Sequence, residues 1–257
     1  MIWNVGVVGD PVDHSLSPQL QEAAMQIAGI EGNTSRVQIS SSQLDDLKRA
    51  IRNDFDALSV TMPLKPLATT ICDHLDSAAT RTGMVNSLLR KDGQIYGACT
   101  DGEGLISSVK SQFNFEFTDA RVVVIGAGGA ASGIIDALQN SNAKSITVLN
   151  RTSSKIDVLS AKYNKVTSAL GDKVDVLINT VPITGRGTPE MVAGIRAETI
   201  CIDITYAPAV SQWLAFFEAE GCRTANGLGM LAHQAALQFK FWWNVDIDGE
   251  DLLEVLT

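Results

Sequence analysis

Four short polar clusters interrupt the apolar patterning of the first half of the chain, and each carries groups able to do chemistry. In His14-Ser15-Leu16-Ser17-Pro18 two hydroxyls stand two residues apart just before a helical pattern. Such a loop can offer two hydrogen bonds to a carboxylate near the positive end of a helix. Plain helix capping by Ser17, with Ser15 incidental, accounts for the same residues, and taken alone the cluster favours it. In Val60-Thr61-Met62-Pro63-Leu64-Lys65 a strand end turns through proline to a lysine. Loops at the carboxyl ends of strands are where α/β folds collect ligands. Asn86 lies in an apolar run, where a buried amide must be satisfied or used. Thr100-Asp101-Gly102 opens a helical pattern, which makes Asp101 either an N-cap or a functional carboxylate.

A fifth feature is of another kind. Gly126-Ala127-Gly128-Gly129-Ala130-Ala131 follows the apolar run Arg121–Ile125 and leads into an apolar helical pattern reaching about Leu138. A glycine pattern of this sort is weak by itself; placed between strand and helix it acquires a physical meaning. Gly126 permits the tight turn, Gly128 lets backbone approach a pyrophosphate, and Ala131 keeps helix and strand close. The phosphates would sit on the helix amino end. A glycine-rich turn without a ligand is the alternative. The next strand ends in Asn150-Arg151-Thr152, with Lys155 a turn further on, where an NAD site would carry an acidic residue. Arg151 can pair with a 2′-phosphate while Asn150 and Thr152 hydrogen-bond, so the pattern favours NADP unless Arg151 is only a solvated surface charge.

These clusters need a scaffold. Strands are expected at Ile2–Val8, Arg36–Ile39 and Ala57–Thr61, with helices at Pro18–Ala28 and Leu44–Ile51. In the first helix Leu20, Ala23, Ala24, Ile27 and Ala28 share a face, Ser17 caps it and Gly29 ends it. Val85–Leu89 and Gln94–Tyr96 flank Lys91-Asp92-Gly93 as a hairpin. Ser145–Leu149, Val174–Ile178 and Ile200–Ile204 read as further buried strands of a parallel sheet, and Leu228–Trp243 and Asp248–Leu256 as helices. The fold expected is α/β with two domains. Residues 1–104, completed by the helices of 229–257, form a substrate domain, and 105–228 form a Rossmann-like NADP-binding domain with a parallel sheet.

The 257 residues include 20 basic and 29 acidic side chains, a formal net charge of -9, which argues against a nucleic-acid binder. Cys72, Cys99, Cys201 and Cys222 form no CxxC pair and only three histidines are present, so no metal site is expected. The weakly polar run Val122–Ile135 is too short to span a bilayer, and Met1–Pro11 lacks the features of a signal peptide. A cytoplasmic protein with a small-molecule substrate, no membrane or nucleic-acid partner, and a monomeric or homodimeric state is expected.

In combination these motifs resemble shikimate dehydrogenase. The family's marks occur in order: His14 to Pro18, Val60 to Lys65, Val85-Asn86, Thr100-Asp101-Gly102, Gly126 to Ala131 and Asn150-Arg151-Thr152. They continue with Asp203-Ile204-Thr205-Tyr206, Pro208, Gly227-Leu228-Gly229-Met230-Leu231 and Gln234. The resemblance covers nearly the whole chain. It implies reversible NADPH-dependent reduction of 3-dehydroshikimate to shikimate, on the route to aromatic amino acids. It also implies that Ser15, Ser17 and Tyr206 hold the substrate carboxylate, with Thr61 nearby. Lys65, Asn86, Asp101 and Gln234 would bind ring hydroxyls, with Lys65 as general acid/base and Asp101 orienting it. NADP would lie along Gly126–Ala130 and Asn150, Arg151, Thr152 and Lys155, with Ile204, Gly227 and Met230 on the nicotinamide side.

Three positions depart from the family pattern: Ser59 and Cys99 stand where asparagine is usual, and Gln21 where histidine is. They bear on loop geometry and ring recognition, and Cys99 beside Asp101 suggests sensitivity to thiol reagents. A quinate-preferring relative shares the scaffold, although the Ser-Leu-Ser form is that of shikimate-selective members. A non-catalytic NADP sensor is the alternative from another class, and it has no need of Lys65 and Asp101.

Overall fold

The computed structural model describes residues 2–182 and 194–257. The chain forms two compact units, residues 1–105 with 231–257, and residues 106–230.

The first unit begins β1 (Trp3–Gly9), α1 (Ser17–Ala28), β2 (Gly32–Gln38), α2 (Leu44–Arg49), β3 (Ala57–Val60) and α3 (Lys65–Ala68). It goes on through β4 (His74–Leu75), α4 (Ser77–Thr82), β5 (Ser87–Lys91) and β6 (Gln94–Ala98), and α5 (Asp101–Phe113) then carries the chain onward. The second unit contains β7 (Arg121–Ile125), α6 (Gly129–Asn140), β8 (Ser145–Leu149), α7 (Ser153–Lys162), β9 (Val166–Thr167) and β10 (Val176–Asn179). Beyond these come β11 (Ile200–Asp203), α8 (Gln212–Ala219) and β12 (Arg223–Ala225). Helix α9 (Leu228–Trp243) then returns the chain to the first unit, which α10 (Gly249–Glu254) closes.

In the first unit the strand order is β2-β1-β3-β5-β6-β4. β1 runs parallel to β2 and β3, whereas β5 is antiparallel to β3 and β6. The expected hairpin forms, with Asp92 (φ 52°) and Gly93 (φ 75°) both left-handed at its turn, as a tight two-residue connection requires. The core of this unit has two parts. Leu47, Ile51, Leu58, Leu64, Leu88 and Ile95 pack together, and Val5, Leu20, Ala24, Ala235, Phe239 and Trp242 form the other cluster.

The second sheet has the order β12-β11-β10-β7-β8-β9, every adjacent pair parallel. Its central strands read as continuous apolar runs because both faces are covered: Val122 to Val124 and Val176 to Ile178 are all buried. The strand order reverses between β7 and β10, and ligands of open α/β sheets bind at the carboxyl ends of strands flanking such a reversal.

Three local expectations need correction. Ile27 is 52% exposed, and Gln21 takes its place on the buried face of α1 with Leu20, Ala24 and Met25; a glutamine goes in because its amide is fully bonded there. Ser17 does not cap α1. Leu16 holds the cap position without a side-chain bond, and it is Ser15 Oγ that accepts the Ser17 N–H, at 3.2 Å. The second helix, expected to end at Ile51, leaves α2 as a π-helical turn over Ala50–Asp54, closed by the Phe55 N–H on the Ala50 carbonyl.

Candidate active site

The polar groups of the first unit converge where β3 and β6 end and β5 begins. Lys65 is the first residue of α3, directly after the loop containing the cis Met62–Pro63 peptide. Its carbonyl accepts the Val85 N–H (3.0 Å), and the Asn86 carbonyl accepts the Val60 N–H (2.8 Å). Asn86 in turn donates its N–H to the Ala98 carbonyl (3.0 Å), so the backbone pins three clusters side by side. Lys65 Nζ donates to Asp101 Oδ2 at 2.7 Å, with the side chains 15% and 5% exposed. Asp101 is therefore no N-cap: its carboxylate is turned onto Lys65 and Asn86.

Asn86 is the hub. Its Oδ1 accepts the Thr100 N–H (2.9 Å), which fixes Nδ2 as the group facing Thr100 Oγ1 (2.9 Å), Asp101 Oδ1 (3.0 Å) and Gln234 Oε1 (3.0 Å). Gln234 arrives on α9, and the fit is close. A Cβ on Gly104 would lie 2.5–2.7 Å from Gln234 atoms, so only glycine lets α5 approach α9 here. Ser15 and Ser17 are half-buried, their hydroxyls 3.1 Å apart, and Arg36 donates two hydrogen bonds to the Ser15 carbonyl (3.1 and 2.7 Å). Thr61, also half-buried, donates its N–H to the Val8 carbonyl.

The second unit holds the other candidates. Gly126 has φ 109°, and a Cβ there would strike Thr180 and Val181 at the end of β10, so the tight turn is glycine's alone. Gly128 caps α6 with no side-chain bond, and a Cβ on it would meet nothing within 4 Å. The amino end of α6, from Gly129 and Ala130, thus faces open space with Ala127 before it. This is a cradle a phosphate fits. Asn150 Nδ2 donates to the Thr152 carbonyl (3.0 Å), shaping the turn into α7. Arg151 and Lys155 are exposed. Gly227 is pressed so closely on the Ile204 backbone that no side chain would fit, and Met230 is buried. Tyr206 also belongs to this unit, half-buried beyond β11, rather than to the unit carrying Ser15 and Ser17.

The surroundings of Cys99 speak against the reactivity suggested by its sequence position. It is 5% exposed, and burial, then the Asp101 carboxylate, push its thiol up to about 12. The thiolate is the reactive form, and at neutral pH almost none is present. Thiol reagents are therefore expected to leave the native protein active. The check is residual activity during treatment with a disulfide reagent; rapid loss that Cys99→Ser abolishes would contradict it.

Spacing alone misses Gln238. One helical turn after Gln234, it donates to Gln234 Oε1 (2.7 Å) and accepts from Ser59 Oγ (2.6 Å). Ser59 also accepts from Gln21 Nε2 (3.1 Å), so two of the positions that depart from the family pattern bond to each other. The readable signal is a second glutamine four residues on, on the same face of a largely apolar helix.

Three family models match the chain: "Shikimate dehydrogenase substrate binding domain" over residues 7–88, "Shikimate / quinate 5-dehydrogenase" over 107–205, and "Shikimate 5'-dehydrogenase C-terminal domain" over 227–255. Shikimate dehydrogenase (NADP(+)) of Exiguobacterium sp. is 34% identical, covering 98% of each chain. Among solved structures, shikimate 5-dehydrogenase of Thermus thermophilus, in complex with NADP(H) and shikimate, superimposes with a TM-score of 0.89 at 27% identity. That match covers 99% of this chain and 98% of the other. The 5-ketofructose reductase of Gluconobacter sp. has a TM-score of 0.85 at 26% identity, covering 100% and 98%. With model matches spread along its length and a relative of this identity end to end, the chain belongs to the shikimate dehydrogenase family.

Proposed function

We propose that the protein interconverts 3-dehydroshikimate and shikimate with NADP, the first unit serving the polyol acid and the second the nucleotide. The observation that carries this reading is the Lys65–Asp101 pair at 2.7 Å, nearly enclosed and hydrogen-bonded through Asn86 to Gln234. A sensor needs no such proton donor.

Reduced NADP, when bound, supplies the hydride. Lys65 Nζ, held by Asp101, bonds to the ketone oxygen, offsets the negative charge that builds there and delivers its proton. In the oxidative direction the same nitrogen takes the hydroxyl proton. Asp101 keeps the ammonium oriented, while Asn86 and Gln234 bind the remaining ring hydroxyls. Ser15 and Ser17 hold the carboxylate, with Thr61 beside it; Arg36, clamped on the Ser15 carbonyl, shapes that loop and adds positive charge nearby. The open cradle from Gly126 to Ala130 suits the pyrophosphate, and Asn150, Arg151, Thr152 and Lys155 suit the adenosine 2′-phosphate. Ile204, Gly227 and Met230 line the nicotinamide side.

Quinate carries a tertiary hydroxyl next to its carboxylate, which must be accommodated around Ser15, Ser17 and Thr61. Steady-state oxidation of the two acids should give a kcat/KM for shikimate above that for quinate by roughly a hundredfold. Turnover mainly with quinate would move the assignment to the sister activity.

A further inference from the structure

We propose that Gln238 is a positioning residue whose hydrogen-bonded strut, Thr34–Gln21–Ser59–Gln238, fixes the Gln234 amide so that it presents N–H to the substrate ring. The inference rests on the reading above that Gln234 contacts that ring. Two backbone carbonyls, which can only accept, set the polarity of the whole strut. The Gly6 carbonyl takes a bond from Gln21 Nε2 (2.9 Å), leaving Gln21 Oε1 for the Thr34 hydroxyl. Gln21 Nε2 also donates to Ser59 Oγ, which directs the Ser59 proton onto Gln238 Oε1.

The Asn86 carbonyl accepts from Gln238 Nε2 (3.2 Å), and the same amide nitrogen donates to Gln234 Oε1. With Asn86 Nδ2 on that oxygen as well, Gln234 Oε1 is fully engaged. Gln234 Nε2 gives one proton to the Leu231 carbonyl (3.0 Å) and keeps the other for a ligand. Gln21, Ser59, Gln234 and Gln238 are 1%, 6%, 7% and 2% exposed, so water is poorly placed to replace a missing link. A turned Gln234 amide would set N–H against N–H at Gln238 and Asn86 and oxygen against oxygen at Leu231. The departures at Gln21 and Ser59 are thus parts of one device rather than separate losses.

Two variants test this. In Gln238→Glu an ionised carboxylate offers only acceptors and turns the Gln234 amide round, whereas the protonated acid can still donate. Burial raises the pKa of such a carboxyl into the working range. Lys65 and Asp101, the nearest charges along the network, are common to variant and wild type, so the ratio of their KM values isolates the introduced group. That ratio for shikimate should lie near one at about pH 6 and rise about tenfold by about pH 9, with the KM for NADP unchanged. Gln238→Met should raise the shikimate KM at every pH without the pH-dependent ratio.

Thermal midpoints show whether each variant is folded. A lowered midpoint with shikimate KM ratios flat and near one in both variants would overturn the positioning role and leave only a packing role. A wild type inactive on shikimate would sink the reading beneath it as well, so the two failures are distinguishable.

Discussion

Lys65→Met should lower kcat for shikimate oxidation by roughly 10²–10⁴-fold, the range over which a positioned proton carrier acts. Methionine keeps most of the aliphatic stem and removes only the charged group. Shikimate binding, followed by tryptophan fluorescence, should survive within an order of magnitude, because the serine pair, Thr61, Asn86 and Gln234 are left in place. The variant also strips the counter-charge from Asp101, which is only 5% exposed and retains just the Asn86 bond among those described. A modest fall in thermal midpoint is expected on that account. Retention of more than about a tenth of the wild-type kcat would remove Lys65 from the chemistry.

The second large effect is at the nucleotide. Arg151→Glu should raise the KM for NADP by roughly 10- to 100-fold, the span expected when a charge-assisted bond to a phosphate becomes a repulsion. The KM for NAD, which has no 2′-phosphate, should change little, so the preference narrows or inverts. Because Arg151 is exposed, the thermal midpoint should not move, and the penalty should shrink as salt is added. Steady-state kinetics with both nucleotides at two ionic strengths reads all of this. An unchanged KM for NADP would mean that Arg151 is only a surface charge.

How much of this is legible in the sequence varies with the physics of each element. β7 and β8 occur at Arg121–Ile125 and Ser145–Leu149 as expected, because central parallel strands must be apolar on both faces. β2 begins at Gly32, four residues before the expected Arg36, since its Gly-Asn-Thr-Ser start belongs to an edge strand held by backbone pairing with β1. The short strands β4, β9 and β12 escape a pattern-based reading for a related reason: two or three residues carry no periodicity.

Within the site, residue type marks Lys65, Asn86 and Asp101 as candidates, but each cluster alone reads more readily as structural, and it is the family resemblance that gives them roles. Residue type misjudges the serines, where a hydroxyl before a helix reads as a cap whichever serine does the bonding. It also gives no hint that Gln21, Ser59 and Gln238 meet. They come from α1, β3 and α9, and only the folded packing of those three elements brings them into one chain of hydrogen bonds. Cys99 shows the converse, since its closeness to Asp101 in sequence suggests reactivity and its burial argues against it.

The proposed activity is tested most simply by the absorbance of reduced nicotinamide after mixing purified protein with shikimate and NADP. Prompt NADPH formation is expected, faster than with NAD and lost in Lys65→Met. A folded wild type that binds NADP yet forms no NADPH from shikimate would contradict it and point to a relative with another substrate or to a sensor.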